Sequence, residues 1–158
     1  MDIIIKNMKK SNNRTGVSGE YYVAAELTRR GLDAAIMLRN NENYDILAIN
    51  VDTKSQFCIQ VKTTWNTKRW KLNAKVETSH SEKHYYVFVV LYEDDTKKPD
   101  FIIIHSQRIA EHIAYWHRKW LETPGKKGKI HNDNDMRILD DENGFFQDYW
   151  NNWDIFKI

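Results

Sequence analysis

One short alternating run, Phe57–Lys62, constrains the fold of this 158-residue chain more than any other segment. Successive side chains of a β-strand point to opposite faces. Phe57 and two aliphatic residues therefore share a face suited to burial, whereas Gln60 and Lys62 share the other face. An amide and an ammonium lie about 7 Å apart along a strand that is otherwise typical of a core. Charged groups are costly to bury unless they are paired or bind a ligand, so this strand predicts a site.

Two further segments each supply one carboxylate. Residues 44–50 predict a neighbouring strand, and Asp45 lies near its start. In a helix predicted from about residue 16 or 18 to residue 30, Glu20 shares one face with the apolar residues at i+3, i+4 and i+7. That face must pack on the sheet, which directs Glu20 toward the rim of the core. Stabilisation of the helix N-terminus by its charge explains Glu20 equally well, and both interpretations stay open.

Composition limits the class of protein. Only 41% of the residues are hydrophobic and 29% are charged, and no run approaches the ~20 apolar residues of a membrane span, so a cytoplasmic protein that makes no membrane contact is expected. The charged N-terminal residues 1–6 do not resemble a signal peptide. The single cysteine, Cys58, excludes an internal disulfide and a multi-cysteine zinc site. We interpret Cys58 as a small buried hydrophobe and not as a nucleophile.

The order of the predicted elements indicates an α/β (α+β) fold, with a mixed sheet flanked by helices, in one domain over residues 15–158. Residues 1–14 are expected to form a flexible N-terminal segment. A second helix is predicted from Ser106, as its cap, to about Glu122, with Trp116 and Trp120 packed inward. The aromatic C-terminus is expected to close the core, and a homodimer contact is the alternative. The predicted strands cover about residues 33–38, 44–50, 56–63, 70–72, 85–92, 101–105 and 136–139.

Charge is unevenly distributed although the net charge is only +2. Residues 62–76 hold five basic residues and no acid, with two tryptophans among them, a pattern that suits a polyanion or a solvated hairpin over packed rings. The Gly/Lys loop 125–129 lacks the pattern of a nucleotide-binding loop; it fits a DNA-gripping loop and a plain surface loop equally. The candidate nucleic-acid-binding residues are Lys68, Arg69, Lys71, Lys126, Lys127 and Lys129.

Taken together, Glu20 on a helix, Asp45 on a strand and Gln60-x-Lys62 on the next strand resemble the PD-(D/E)XK nuclease superfamily in order, spacing and element type. A longer pattern, over roughly residues 16–155, is similar to a group of small, largely uncharacterised bacterial members. The matching positions are Gly19-Glu20, Tyr44-Asp45-Ile46, Gln60-Val61-Lys62-Thr63, Trp70-x-Leu72, residues 86–89, His117-x-x-Trp120-Leu121, residues 124–129 and His131.

The resemblance implies a restriction-endonuclease-like sheet and Mg²⁺- or Mn²⁺-dependent cleavage of phosphodiester bonds in DNA, with RNA as the alternative substrate. It implies that Asp45 is the central metal ligand and that Glu20 is a second ligand, directly or through water. Gln60 takes the place of an acid, and the backbone carbonyl of Val61 could add a ligand. Lys62 is the motif lysine, which can orient the attacking water and offset charge on the phosphate.

Gln60 departs from the family pattern because its carbonyl oxygen can ligate but carries no charge. Glu20 and Asp45 then supply two negative charges against the positive Lys62, which favours one metal, or a second only when DNA phosphate is present. The alternative is a catalytically inactive nucleic-acid-binding module of the same fold, in a defence or repair assembly. A third interpretation is an interaction protein that uses the aromatic tail.

Overall fold

The computed structural model describes residues 11–38 and 44–157. Its first helix, α1, spans Asn12–Thr28, and the Ser11 hydroxyl caps it by accepting from the Arg14 N–H at 3.2 Å. The helix begins earlier than predicted because Ser11 supplies the N-cap. Gly31 follows the helix with φ of 87°, a left-handed conformation in which glycine is unstrained. Residues 1–10 of the predicted N-terminal segment lie outside the described residues.

Five strands form a mixed sheet in the order β1-β2-β3-β5-β6, in which β3 and β5 are parallel and the other pairs are antiparallel. Two further strands, β4 and β7, pair as an antiparallel ribbon. The predicted α/β (α+β) class with a mixed sheet and flanking helices is therefore confirmed. The strands are β1 (Leu32–Ile36), β2 (Ile46–Asn50), β3 (Gln56–Trp65), β4 (Trp70–Asn73), β5 (His84–Leu91), β6 (Asp100–His105) and β7 (Met136–Leu139), and the second helix is α2 (Ser106–Glu122).

Each face of the sheet carries its own hydrophobic core. On the first, called the α1 face, Val23 and Leu27 of the helix pack on the apolar side of β3, as its alternation predicts. Trp153 and Phe156 of the C-terminal tail are buried in the same core, so the tail closes this side. The opposite face, called the α2 face, is covered by α2 and the β4–β7 ribbon. β5 is buried along its whole length because it has a core on both faces.

The ends and faces of α2 differ from the sequence prediction in two respects. The N-cap is His105, whose Nδ1 accepts from the Gln107 N–H at 3.2 Å, and not Ser106, which is buried and bonds to Ser81. Trp120 is 41% exposed, so its predicted inward packing is wrong, whereas Trp116 is half-buried. The apolar stripe of this helix reaches only its first three turns. Within the described residues, neither helix is long and apolar enough to cross a membrane.

Candidate functional site

Helix α1 is pressed against β3 at one glycine. A Cβ added to Gly19 would lie 1.9 Å from the Thr63 Oγ1, so only glycine permits this approach. One turn earlier, the Trp65 Nε1–H donates to the Thr15 Oγ1 at 2.9 Å and joins the same two elements. Glu20 follows the contact directly and is half-buried, on the helix face that packs on the sheet. The helix approach therefore places this carboxylate at the rim of the sheet.

The second carboxylate lies where β2 leaves β3. The two strands pair from Ile46 opposite Ile59 onward, and the Asp45 N–H donates to the Ile59 carbonyl at 2.9 Å. The next β3 amide, that of Val61, donates instead to the Asp45 Oδ2 at 2.7 Å. A side-chain carboxylate thus takes the place of a strand carbonyl, in a short charge-assisted hydrogen bond that holds Asp45 in a defined position. The backbone ladder between the two strands therefore ends at Asp45.

Glu20 and Asp45 meet at one cavity of about 260 Å³. Met37 and Tyr44 line its sheet side, and the first two turns of α1 line the other. Two carboxylates that are 25 positions apart in the chain therefore line the same cavity. Among the described residues, Gln60 and Lys62 do not line this cavity; both are half-buried on β3, on the α2 face.

Asp45 lies on the same side of the sheet as Gln60. In the parallel pair of β3 with β5, Gln60 is in register with Tyr86. Tyr86 belongs to the core of the α2 face, and burial, followed by the charge of Asp45, raises the pKa of its phenol to about 12. Gln60 and Tyr86 are therefore neighbours across β3 and β5.

Tyr86 was not identified as a site residue from the sequence. It lies within the apolar run of β5, where a tyrosine is typical of a core. The signal that could have found it is the pairing of β5 with the Gln60-x-Lys62 strand, which places one β5 residue beside each motif residue. With its pKa near 12, the phenol stays neutral at physiological pH and can donate a hydrogen bond.

The donor atoms at this site suit a hard, hydrated cation. Mg²⁺ is held in proteins by one or two carboxylates and keeps several waters, and Glu20 and Asp45 supply two carboxylates. The amide oxygen of Gln60 and the carbonyl of Val61 are further oxygen donors. Among the described residues, no group of three or more His, Cys, Asp and Glu side chains is placed to hold a metal. Burial raises the pKa of the Cys58 thiol, so it stays protonated and offers no thiolate ligand.

The predicted nucleic-acid-binding residues lie away from the Glu20–Asp45 cavity, which none of them lines. The Lys68 ammonium is 4.5 Å from the centroid of the Trp150 ring, and the Arg69 guanidinium is 3.5 Å from the Asp140 carboxylate. Lys71 projects from the outer face of the β4–β7 ribbon, opposite the buried side of β4. Lys126, Lys127 and Lys129 lie in the loop that follows α2, at the surface of the protein.

Comparison with solved structures identifies the fold. The structure is similar to a bacterial homing endonuclease, I-Ssp6803I, with a TM-score of 0.54 and 11% sequence identity over 94% of this chain and 95% of that chain. Hjc, a Holliday junction resolvase of Archaeoglobus fulgidus, matches with a TM-score of 0.45 and 14% identity over 80% of this chain and 84% of that chain. The likeness to the homing endonuclease concerns the fold alone, and the predicted restriction-endonuclease-like fold is confirmed. No protein-family model and no curated protein matches the chain.

Proposed function

We propose that this chain is a metal-dependent endonuclease that hydrolyses phosphodiester bonds in DNA, with Glu20, Asp45, Gln60 and Lys62 as its active site. One observation carries the proposal: the Asp45 carboxylate is fixed by the Val61 amide at 2.7 Å, at a cavity that it shares with Glu20. A carboxylate fixed at the end of a strand, beside an open cavity, is a suitable metal ligand. The restriction-endonuclease-like fold supports the same reaction class.

In this proposal, Glu20, Asp45, the Gln60 amide oxygen and the Val61 carbonyl hold Mg²⁺ or Mn²⁺. Such an ion, when bound, would polarise the phosphate and lower the pKa of a coordinated water. Both backbone groups of Val61 serve the proposed site, because the N–H and C=O of one strand residue point to the same edge of the strand. Its N–H holds Asp45, and its carbonyl faces the edge that β2 has left. The protein thereby presents only oxygen donors to the ion.

The remaining roles belong to groups of the chain itself. Lys62 lies two residues beyond Gln60 on the same face of β3, where its ammonium can orient the attacking water and offset charge on the phosphate oxygens. The neutral Tyr86 phenol, on the residue in register with Gln60, is a hydrogen-bond donor that we propose helps to position the ligand groups. Lys62 thus acts on the substrate, whereas Tyr86 is a positioning residue.

The rival proposal is a nucleic-acid-binding module that has lost catalysis. The observation in its favour is Gln60, which leaves two carboxylates where a third acid would strengthen metal binding. Two carboxylates are still within the range that Mg²⁺ uses in proteins, so we favour the enzyme. The two proposals differ in one readout, which is strand cleavage in the presence of a divalent ion.

Cleavage of supercoiled plasmid with Mg²⁺ or Mn²⁺ tests the proposal. We expect nicking by the wild type, and loss of at least about a hundredfold in rate for Lys62→Ala and Asp45→Asn, as when a group that stabilises transition-state charge is removed. Asp45→Asn keeps an acceptor for the Val61 amide, so its effect is not one of folding. Metal affinity, measured by calorimetry, should fall in Asp45→Asn and not in Lys62→Ala, since lysine repels cations.

Matched controls are Asp33→Asn and Lys54→Ala, which change an exposed carboxylate on β1 and an exposed lysine in the β2–β3 turn. Both should cleave like the wild type. Plasmid binding without cleavage under either metal would favour the binding module. Full activity in Lys62→Ala would refute the role proposed for the lysine.

A further inference from the structure

A groove of about 620 Å³ lies between the C-terminal half of α2 and the outer face of the β4–β7 ribbon. No described residue lines both this groove and the Glu20–Asp45 cavity. It has an aromatic and aliphatic floor with cations at its rim. Its apolar residues include Trp116, Trp120 and Ile138, and its cations are Arg69, Lys71 and Lys119.

The aromatic wall of the groove is held in place by a defined stack. Trp120 is 41% exposed, and its ring stacks on His131, with centroids 4.1 Å apart, and on His117, at 5.4 Å. His131 reaches this position because residue 125 is glycine: a Cβ at Gly125 would lie 2.9 Å from the His131 ring. The half-buried Trp116, one turn earlier, extends the wall. An exposed tryptophan that is fixed by its neighbours is typical of a binding surface.

The rim of the groove is positively charged. Lys71 projects into it from β4 and forms no ion pair with any described residue. Arg69 and Lys119 make ion pairs with Asp140 at 3.5 Å and with Glu122 at 3.9 Å, and such exposed pairs are weak enough to be exchanged for a phosphate. The loop that carries His131 also presents the lysines of residues 126–129. Cations around a flat aromatic surface are complementary to a polyanion whose bases are accessible.

We propose that this groove binds an unpaired segment of nucleic acid, with bases against Trp116 and Trp120 and phosphates at Lys71 and Arg69. The inference rests on the proposed function in one respect, namely that the bound strand belongs to the substrate of the Glu20–Asp45 site. Bases inside a duplex are stacked on one another and cannot reach a tryptophan, whereas those of a single strand can. The volume falls within the range of sites for nucleotide-sized ligands. The substrate would then be DNA with an unpaired region, such as a single-stranded flap, a bubble or a hairpin loop.

Binding of a fluorescently labelled 12-nucleotide single strand, compared with the corresponding duplex, tests the inference. Anisotropy is measured in EDTA, so that cleavage does not contribute. We expect the wild type to bind the single strand about tenfold more tightly than the duplex, since each stacked base adds affinity that a duplex cannot gain. Trp120→Leu and Lys71→Gln should each weaken single-strand binding, by about tenfold and about threefold, respectively. Lys71→Gln should also lower the slope of log affinity against log salt by about one.

The controls are Tyr22→Leu and Lys98→Gln, which change an exposed aromatic on α1 and an exposed lysine in the β5–β6 turn, neither of which lines the groove. Both should bind within twofold of the wild type. Equal affinity for single strand and duplex, or equal losses in groove and control variants, would overturn the inference. If Trp120→Leu does not fold, the binding of Lys71→Gln tests the inference instead. The Lys71 side chain is exposed, so its substitution should not disturb folding.

Failure of this inference can be separated from failure of the proposed function. If plasmid is cleaved but the groove variants bind single strands like the wild type, the groove inference is wrong and the nuclease proposal stands. If no nucleic acid is cleaved but the groove variants lose single-strand binding, the nuclease proposal is wrong and the groove is a binding site. If an unlabelled peptide displaces the labelled single strand at a lower concentration than the unlabelled single strand does, the groove binds a different kind of partner and the inference is refuted.

Discussion

Gly19 lies against the Thr63 side chain, and this contact sets the distance between α1 and β3. A Cβ at position 19 would be 1.9 Å from the Thr63 Oγ1 and 3.0 Å from its Cβ, so both the hydroxyl and the branched carbon would have to move. Because Glu20 is the next residue, the same contact determines where this carboxylate stands relative to Asp45. Close packing at one glycine therefore links the stability of the fold to the geometry of the site.

Gly19→Ala should lower the free energy of unfolding by about 1–3 kcal/mol, the usual cost of overpacking a well-filled interface. Urea unfolding followed by circular dichroism measures this change. Gly16→Ala is the control on the same helix, because no atom lies within 4 Å of the position that its added methyl group would take. That variant should gain up to about 1 kcal/mol from helix propensity. Thr63→Ala should recover part of the stability of Gly19→Ala, and no recovery would contradict the contact.

Tyr86→Phe should reduce DNA cleavage by about tenfold at neutral pH, a typical loss for one positioned hydrogen-bond donor. The substitution removes the neutral phenol from the residue in register with Gln60 but keeps the ring that stacks on Phe88 at 5.8 Å, so the free energy of unfolding should change little. Tyr85→Phe is the matched control, since Tyr85 is equally buried but belongs to the core of the α1 face. Initial rates of plasmid nicking compare the two. Equal nicking rates in both variants would show that Tyr86 has no role in the site.

Local patterns were sufficient to predict the elements of the fold. The alternation along β3 predicted which side chains are buried, and the run from Tyr85 to Leu91 predicted a buried strand. These properties follow from the periods of helix and strand, which depend on neighbours in the sequence. Glu20 and Asp45 line one cavity, whereas Gln60 and Lys62, which were expected to meet them, do not line it.

These local patterns do not indicate which strands pair when they are distant in the sequence. The parallel pairing of β3 with β5 brings Tyr86 beside Gln60, and no local signal distinguishes it from other strand orders. Likewise, the groove arises because the β4–β7 ribbon joins segments more than 60 residues apart and α2 packs across it. Trp120 was expected to be buried because an aromatic stripe along a helix predicts packing. The stripe does not indicate how far along the helix the rest of the protein covers it, and Trp120 is exposed.

His112 should make stability depend on pH. Its ring stacks on Phe145 with centroids 3.6 Å apart, and burial lowers its pKa from 6.5 to about 4. The unfolded chain therefore binds a proton at a higher pH than the folded protein does. The stabilisation is fully present above about pH 6.5 and is lost as the pH falls toward 4. Between pH 6.5 and 5.5 we expect a loss of about 1 kcal/mol from this residue.

The matched variant is His112→Phe, which keeps a ring on Phe145 but cannot be protonated. Urea unfolding at pH 6.5 and 5.5 should show a smaller loss of stability in this variant than in the wild type. Burial also lowers the pKa of His84, so part of the dependence should remain. An identical dependence in both proteins would show that His112 does not contribute.

Gln60→Glu should strengthen metal binding at the proposed site. The substitution adds a third negative charge to the proposed ligand set without changing the length of the side chain, and each added carboxylate attracts a divalent ion strongly in a half-buried position. We expect Mn²⁺ affinity, measured by calorimetry, to rise by about tenfold, and the metal-free protein to lose about 1 kcal/mol of stability through repulsion between the carboxylates. Gln56→Glu is the control, because Gln56 is exposed at the start of the same strand. Unchanged affinity in Gln60→Glu, together with unchanged stability, would show that position 60 does not face the ion.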